Sequence, residues 1–388
     1  MVPAYLQSKQ HYEILDGLRG VAALIVVIYH LGETYASSSA GVVFPNHGYL
    51  AVDFFFMLSG FVVGYAYDDR WGSMSTWAFF KRRIVRLHPM VIAGTLIGAA
   101  FYYFGAGDVF PIIGQTPWDA VLLAVVLGLL MIPSPLRLDV RGWGETYSLN
   151  GPAWTLMWEY IANILYALFI RRFSKTLLAL CVLLSAVLTA DLTLNLNLFG
   201  LLPDRGEMNH TLVGGWSLSP EQLYIGATRL LFPFLCGLLL SRMQWSLKIR
   251  GGFYVCSLMV VAWLGFPRLG GVESPIFNGM YELVCMLLLF PVVVLAGAGS
   301  SVTGKKSVAL CRFLGAISYP LYITHYPLIY LQTAWARSHQ DLPAGTHVFV
   351  AVSVLLLAVG IAYACLKLYD EPVRERLRLR FLVGQRKK

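Results

Sequence analysis

The first long apolar stretch of the chain, residues 15–34, carries an arginine and a histidine at Arg19 and His30. Eleven helical steps of about 100° amount to three turns plus about 20°, so both side chains lie on one face of a helix. The rise between them is roughly 16 Å, about half the hydrocarbon thickness of a bilayer. An ionisable group inside a membrane is costly and by default marks a functional site. The pair therefore predicts chemistry within the membrane, with a reagent that enters at the Arg19 end.

Only 13% of the 388 residues are charged and 57% are hydrophobic, a balance far from that of soluble domains. The predicted fold class is all-α, a polytopic transmembrane helical bundle in one domain over 1–388 with no appended soluble domain. The net charge of +9 comes from short basic runs between apolar segments, which indicates positive-inside anchoring and excludes nucleic acid as its cause. The six cysteines form no CxxC pattern and are interpreted as packing residues, so no metal site is predicted.

Eleven apolar segments are candidate membrane spans: 15–34, 49–67, 87–104, 118–133, 152–170, 175–191, 222–240, 251–266, 279–297, 313–332 and 346–367. If all eleven crossed with the N-terminus inside, the basic runs at 171–175 and 304–306 would face outward, against the charge bias. The conflict disappears if 118–133, which prolines bound at both ends, is re-entrant or crosses half of the membrane. We therefore predict ten crossings plus this segment, both termini cytoplasmic, and cytoplasmic charges that begin at Lys9.

His30 is the first residue predicted to carry chemistry. A neutral imidazole can take a proton from a hydroxyl nucleophile as a general base. It can instead attack a thioester and carry the acyl group itself. The alternative is a histidine that only packs and hydrogen-bonds a neighbouring helix, and its depth in the membrane favours function over packing.

The basic run KRRIVRLHP at 81–89 is the second candidate. Arg83 and Arg86 are one helical turn apart on one face, and the planar guanidinium suits phosphate. A basic run next to a span is more often a topology anchor, which remains the alternative. Beside Arg19 and His30, the run predicts a phosphate-bearing donor at the cytoplasmic edge.

Three more ionisable groups lie at membrane depth, at Asp53, Glu159 and His325. Each can serve helix packing through one polar contact. Together with His30 they exceed what packing usually needs, so they predict a polar cavity. Asp53 or Glu159 is expected to orient the catalytic imidazole, and the sequence leaves open which of them does so.

These residues also resemble the acyltransferase-3 family, bacterial integral-membrane acyltransferases that modify surface polysaccharides and related glycans. The resemblance extends over nearly the whole chain. It is carried by Arg19 and His30 with ten residues between them, DFFFMLSGF at 53–61, Arg83 and Arg86 before Pro89, Trp154 to Glu159, SYPLYITHYP at 318–327 and YDEPVR at 369–374. After the glutamate the family often has a Phe-Tyr pair, where this chain has Ala162 and Asn163.

In that family the histidine that matches His30 is taken as catalytic, the matching arginines are linked to the acyl-CoA donor, and ten spans are usual. The predicted site comprises the catalytic residues His30, Asp53 and Glu159, the donor-binding residues Arg19, Arg83 and Arg86, and the substrate-binding residues His325, Tyr319 and Tyr322.

The predicted function is transfer of an acyl group, acetyl in the first instance, from cytoplasmic acyl-CoA to a hydroxyl of an envelope or exported carbohydrate. The predicted location is the bacterial inner membrane, with the acyl donor, a carbohydrate acceptor and the bilayer as partners. The alternative is a secondary transporter, which also places ionisable groups at the midplane. A third interpretation is a flippase-like scaffold that catalyses no reaction. No internal repeat is visible, and the basic residues cluster at one edge, which favours the enzyme.

Overall fold

The structure is a computed structural model that describes residues 11–35, 44–271 and 273–383. Within these ranges the regular structure is helical, apart from an isolated bridge between Gly107 and Phe110. The predicted polytopic helical bundle is thus confirmed. Lys9 and both chain termini, which the charge pattern assigned to the cytoplasmic side, lie outside the described residues.

The α-helices in chain order are α1 (Glu13–Glu33), α2 (Ala51–Tyr67), α3 (Thr76–Phe101), α4 (Trp118–Leu129), α5 (Ala153–Leu168), α6 (Lys175–Thr193), α7 (Pro220–Met243), α8 (Gly252–Leu264), α9 (Ile276–Val284), α10 (Phe290–Gly299), α11 (Lys305–Thr324), α12 (Tyr326–Ser338), α13 (Ala344–Ala364) and α14 (Glu371–Leu377). π-Helical turns join α9 to α10 and α13 to α14. Among the described residues, eight helical segments are long and apolar enough to cross a membrane.

Three predicted spans form shorter helices than a full crossing needs. A span requires about 20 apolar residues, whereas α4 has 12, α8 has 13 and α5 has 16. α8 nevertheless runs beside α1. Gly252 at its start lies against Ile14 of α1, and at its end the Leu264 carbonyl accepts a hydrogen bond from the His47 backbone N–H, in the segment that follows α1. The predicted total of ten crossings therefore depends on short helices as well as on the eight long ones.

α4 has the geometry expected of a half-crossing segment. Its 12 residues rise about 18 Å, and Gly128 near its end contacts Thr95 inside α3. The chain on both sides of α4 returns to one end of α3, because Tyr102 at that end donates to the Val140 carbonyl and Phe110 packs on Trp143. Both connections therefore open at the same end of the bundle, as predicted.

α3 begins at Thr76, eleven residues before the predicted start at 87. The Ser75 side chain caps the helix by accepting a hydrogen bond from the Ala78 N–H at 3.1 Å. Lysine and arginine are good helix formers, so the basic run continues the helix that the apolar pattern alone did not reveal. Arg83 and Arg86 therefore project from a rigid helix instead of a loop.

The predicted span 313–332 is wrong as a single helix. α11 ends at Thr324 and α12 begins at Tyr326, with His325 between them. Pro327 has no N–H to donate to the Ile323 carbonyl, so the α-helical ladder is interrupted there. The Asn150 side-chain amide donates to that freed carbonyl at 2.8 Å, which ties the segment before α5 to the break.

Close helix contacts at glycines position the central helices. A Cβ on Gly20 of α1 would collide with the Leu314 carbonyl of α11, and one on Gly60 of α2 would collide with the Phe234 carbonyl of α7. Because glycine has no side chain, these backbones can pack in direct contact. The most apolar parts of α1, α2 and α7 are 67%, 72% and 72% buried, against 11% for the helix that contains α13, so α1, α2 and α7 form the centre of the bundle.

Candidate active site

A wide vestibule opens at the end of the bundle marked by Arg19. Its volume is about 890 Å³, and it is lined by residues of α1, α3, α11 and the last helical segment. Its cationic lining residues are Arg19, Arg82, Arg86, Arg312, Arg374 and Arg378, with His11, and its acidic ones are Glu13, Asp16, Asp370, Glu371 and Glu375. Three of the arginines are held by neighbouring carboxylates, in the pairs Arg312–Glu13, Arg374–Asp370 and Arg378–Glu375.

A narrower inner cavity of about 100 Å³ continues from the vestibule into the bundle. Arg19, Arg86, Leu87 and Tyr319 line both cavities, so the two meet at these residues. The inner cavity extends between α2, α3, α5 and α11, and its walls are mainly aliphatic and aromatic. Its shape suits an extended chain with a charged head at the wide end.

Arg19 and Arg86 make no hydrogen bond and no ion pair within the described part of the chain. Arg86 is exposed, and it faces both cavities. The sequence prediction brought Arg19, Arg83 and Arg86 together, and all three line the inner cavity. Two guanidinium groups that make no hydrogen bond or ion pair among the described residues, at the junction of the cavities, form a candidate site for an anionic group, because arginine presents a planar fork of donors to phosphate.

Glu159 holds Arg83 at the wall of the inner cavity. The Arg83 Nη2 donates to Glu159 Oε1 at 2.5 Å, and the Ser59 hydroxyl donates to the same oxygen at 2.7 Å. The side-chain amide of Asn163 donates to the backbone carbonyl of Glu159 at 2.6 Å and approaches its carboxylate at 3.3 Å. Asn163, where this chain departs from the family pattern, therefore supports Glu159 directly.

The two predicted substrate-binding tyrosines follow the inner cavity along α11. The Tyr319 hydroxyl donates to the Leu87 carbonyl of α3 at 2.7 Å, at the junction with the vestibule. Tyr322, one turn further, hydrogen-bonds the Thr155 hydroxyl at 2.9 Å. Both hydroxyls are thus engaged by the protein, and the rings line the cavity.

His30 lies near the inner end of this path, and its partner is Glu33. His30 Nδ1 is 2.5 Å from Glu33 Oε2, and the two residues are three apart on α1. A carboxylate only accepts, so Nδ1 carries the proton and Nε2 has a free lone pair in the neutral ring. The His30 side chain is 19% exposed and Glu33 is 40% exposed, so the dyad is reached from the side away from the vestibule.

His325 lies beside His30 at the break between α11 and α12. The two rings are stacked with centroids 5.6 Å apart, and the Tyr322 ring is 6.0 Å from His325. His325 therefore lies next to Tyr322 of the inner cavity and next to His30, although it lines neither the inner cavity nor the vestibule itself. Its side chain is fully buried, and its Nε2 has no hydrogen-bond partner in the described structure.

Asp53 contacts neither His30 nor the inner cavity. Arg229 of α7 donates to both of its carboxylate oxygens, at 3.1 Å and 2.7 Å, and also to the backbone carbonyls of Tyr49 and Gly214. The pair lies at the α2–α7 contact and is almost completely buried. Asp53 therefore joins two helices, and neither Asp53 nor Glu159 is the carboxylate that contacts the imidazole.

The sequence reasoning missed Glu33 and Arg229. Glu33 follows His30 by one helical turn, so the i, i+3 rule was a signal that could have found it. Arg229 is an arginine inside a predicted span, and a buried charge of this kind requires a partner of opposite sign at similar depth. That requirement points to an acidic group such as Asp53, although only the fold shows which one.

A second polar cluster borders His30 on the side away from the vestibule. The Tyr326 ring is 4.8 Å from His30 and 4.7 Å from Tyr330, whose hydroxyl donates to the Glu145 carboxylate. The Arg141 guanidinium lies 3.6 Å from the centre of the Tyr330 ring. Burial raises the pKa of Glu145 in its loop to about 7, although the Tyr330 hydrogen bond and Arg141 act in the opposite direction. Among the described residues no group of three or more side chains suited to a metal ion occurs.

Comparison with known proteins finds an acyltransferase family and named acyltransferases among the relatives. A family model described as an acyltransferase domain matches residues 12–366. Acyltransferase MdmB of Streptomyces mycarofaciens is 24% identical over 369 residues, which cover 90% of this chain and 89% of MdmB. O-acetyltransferase OatA of Staphylococcus aureus is 22% identical over 388 residues, 96% of this chain, and this chain spans 58% of the length of OatA.

A third relative, "Protein 2 in picA locus" of Rhizobium radiobacter, is 33% identical over 190 residues, which are 46% of this chain and 92% of that protein. No solved structure matches the chain. The family match includes α1 with Arg19 and His30, the whole lining of the inner cavity and the α11–α12 break, whereas the vestibule residues from Asp370 onward lie beyond it. The chain therefore belongs to the acyltransferase-3 family of membrane acyltransferases.

Proposed function

We propose that this protein transfers an acyl group, acetyl in the first instance, from cytoplasmic acyl-CoA to a hydroxyl of an envelope or exported carbohydrate. The observation that carries the proposal is the path from the vestibule to His30. It begins at Arg19 and Arg86, narrows along Tyr319 and Tyr322, and ends one stacked ring from His30. A donor with an anionic head and an extended arm that ends in a thioester matches this path.

The arginines bind the donor through charge. Arg19 and Arg86 hold phosphate oxygens at the mouth of the inner cavity, and the Glu159–Arg83 pair adds a fixed guanidinium to its wall. The rise from Arg19 to His30 along α1 is roughly 16 Å. This separation places the phosphates at one edge of the membrane and the thioester at mid-depth.

His30 acts as general base in this proposal. Glu33 holds the Nδ1–H, so Nε2 takes the proton of the acceptor hydroxyl as the oxygen attacks the thioester carbonyl. The C–S bond then breaks, and the protonated imidazole returns the proton to the leaving thiolate. Glu33 stabilises the imidazolium formed in between, as a carboxylate partner does in other acyl-transfer sites.

The acceptor reaches His30 from the opposite side. Glu33 is partly exposed there, and Tyr326 and Tyr330 continue from His30 towards the loop that carries Glu145. The similarity to OatA, an O-acetyltransferase, supports oxygen as the acceptor atom and acetyl as the group. A carbohydrate is the acceptor class proposed on the family resemblance.

The test of the proposal is mass spectrometry of envelope glycans from cells that carry the wild type, His30→Ala or no copy of the protein. We expect acetylated glycan with the wild type and a loss on the order of 10²–10⁴ in transfer rate for His30→Ala. His339→Ala, an exposed histidine away from the site, is the matched control. Glycan acetylation by a well-expressed His30→Ala protein at the wild-type level would overturn the mechanism.

Donor identity is tested separately by CoA affinity in detergent. Arg86→Ala should weaken CoA binding, and Arg86→Lys should restore it only in part because lysine lacks the planar fork. Lys81→Ala is the control, since Lys81 belongs to the same basic run but lines neither cavity. If Arg86→Ala and Lys81→Ala bound CoA with equal affinity, the basic run at 81–89 would serve only as a topology anchor.

A further inference from the structure

The hydrogen bonds of His325 fix the state of its ring. Nδ1 lies 2.8 Å from the Tyr322 carbonyl oxygen and 3.1 Å from that of Leu321. Carbonyl oxygens only accept, so Nδ1 carries the proton, and Nε2 of the uncharged ring is an acceptor. A ligand that pairs with His325 at Nε2 must therefore donate.

That acceptor is buried and unsatisfied. His325 has no exposed surface, and Nε2 has no partner in the described structure. A buried acceptor without a donor is unfavourable, and in native proteins such an atom calls for a specific explanation. Its ring lies next to Tyr322 of the inner cavity and next to His30, so a ligand that passes Tyr322 towards His30 comes alongside it.

We propose that His325 Nε2 accepts a hydrogen bond from the amide N–H nearest the thioester in the pantetheine arm of the donor. The inference rests on the proposed function, since it assigns a residue to the donor of that reaction. Two methylene groups separate this amide from the sulfur. An amide bound at His325 therefore places the thioester carbonyl within reach of the neighbouring His30.

Polar groups near the inner end of the cavity leave few other partners for the arm. Tyr322 and Thr155 hydrogen-bond each other, and Tyr319 is engaged by the Leu87 carbonyl. An amide N–H that enters this apolar cavity loses its water and needs an acceptor. His325 supplies a buried acceptor without a partner beside Tyr322, and pairing with it sets how far the arm advances.

The experiment compares two donors in inside-out membrane vesicles that carry their own glycans. One is radiolabelled acetyl-CoA, and the other is its analogue with an ester oxygen in place of the N–H of that amide. For the wild type we expect kcat/KM for glycan labelling to be roughly 5- to 100-fold lower with the analogue, because Nε2 is then left unpaired. His325→Asn retains a donor for the Tyr322 carbonyl but removes Nε2, so the ratio between the donors should fall to about one.

His325→Gln keeps an oxygen near the place of Nε2 and should restore part of the discrimination, and His339→Asn should leave the wild-type ratio unchanged. A wild-type ratio of one overturns the inference without any variant. If the ratio between the donors stays at the wild-type value in His325→Asn, the inference is wrong. Unchanged kcat/KM values would then place the discrimination at another residue, whereas an equal loss of kcat/KM with both donors would assign His325 to the acceptor or to the fold. If the wild type labels no glycan from acetyl-CoA, the proposed function itself fails, which distinguishes the two results.

Discussion

At the scale of single residues, Glu33 decides which nitrogen of His30 can act as a base. Because the carboxylate accepts the hydrogen bond of the Nδ1–H, Nε2 is the ring nitrogen that keeps a free lone pair. In the proposed mechanism its charge also favours the imidazolium that forms when His30 takes the proton of the acceptor. Glu33 then serves as a positioning residue with an electrostatic role in the transition state.

Glu33→Gln should lower kcat by about 10- to 100-fold while CoA affinity stays unchanged, because the amide can still accept from Nδ1 but no longer carries the charge. The measurement is glycan acetylation in vesicles together with CoA binding in detergent. Glu207→Gln, an exposed carboxylate in a loop, is the control. A Glu33→Gln protein with an unchanged kcat would show that the carboxylate only packs beside His30.

Glu145 gives the protein a pH-dependent stability. Folding raises the pKa of this buried carboxyl from its usual 4.5 to about 7, so the folded state binds more protons between these values. Its contribution is therefore present below pH 4.5 and is lost as the pH rises to about 7, with a maximum of about 3 kcal/mol. Glu145→Gln should show a smaller fall in thermal stability between pH 5 and pH 8 than the wild type. If the wild type and Glu145→Gln lost the same thermal stability between pH 5 and pH 8, Glu145 would not be the cause of the pH dependence.

The sequence predicted which arginines share a cavity better than it predicted the pairing of carboxylates. Helical spacing and position in the chain were sufficient to bring Arg83 and Arg86 to one cavity with Arg19. Which carboxylate meets which cation depends on helix packing, so Asp53 joins Arg229 and Glu159 joins Arg83. Spacing within one helix is local information, whereas these two pairs form across helices.

At the scale of helices, the break between α11 and α12 lies at the site itself. His325 continues the ladder of α11, because its N–H donates to the Leu321 carbonyl, and it stacks on His30 where that ladder ends. Pro327 interrupts the ladder, and Asn150 satisfies the carbonyl that is left without a partner. The sequence shows the proline, but the partner that stabilises the break comes from a distant segment.

Asn150→Ala should destabilise the protein by about 1–3 kcal/mol, because the buried Ile323 carbonyl loses its donor. Pro327→Ala supplies a backbone N–H for the same carbonyl. The double variant should therefore be more stable than the sum of the two single effects predicts, which thermal unfolding in detergent can measure as a double-mutant cycle. Additive effects would show that Asn150 and Pro327 act independently.

At the scale of the whole molecule, the vestibule and the exposed part of the His30–Glu33 dyad lie at different depths of the bundle. In the proposed reaction, donor and acceptor therefore approach His30 from different sides, and α4 with its two connections belongs to the end of the bundle away from the vestibule. Composition and charge bias were sufficient to predict the helical bundle and the unusual α4. The short α5 and α8 were not distinguishable from full spans, because apolar length in the sequence includes residues that the structure places in connections.

The orientation of α4 provides the sharpest test of the topology. If α4 is re-entrant, single cysteines at the exposed positions Gln115 and Arg137 both face outward, while one at Thr176 faces the cytoplasm. In a background without the six native cysteines, an impermeant maleimide added to intact cells with a permeabilised outer membrane should label Gln115→Cys and Arg137→Cys. Thr176→Cys should react only after the inner membrane is opened. Labelling at 115 with protection at 137 would show that α4 crosses fully, and the helices after it would then require the opposite orientation.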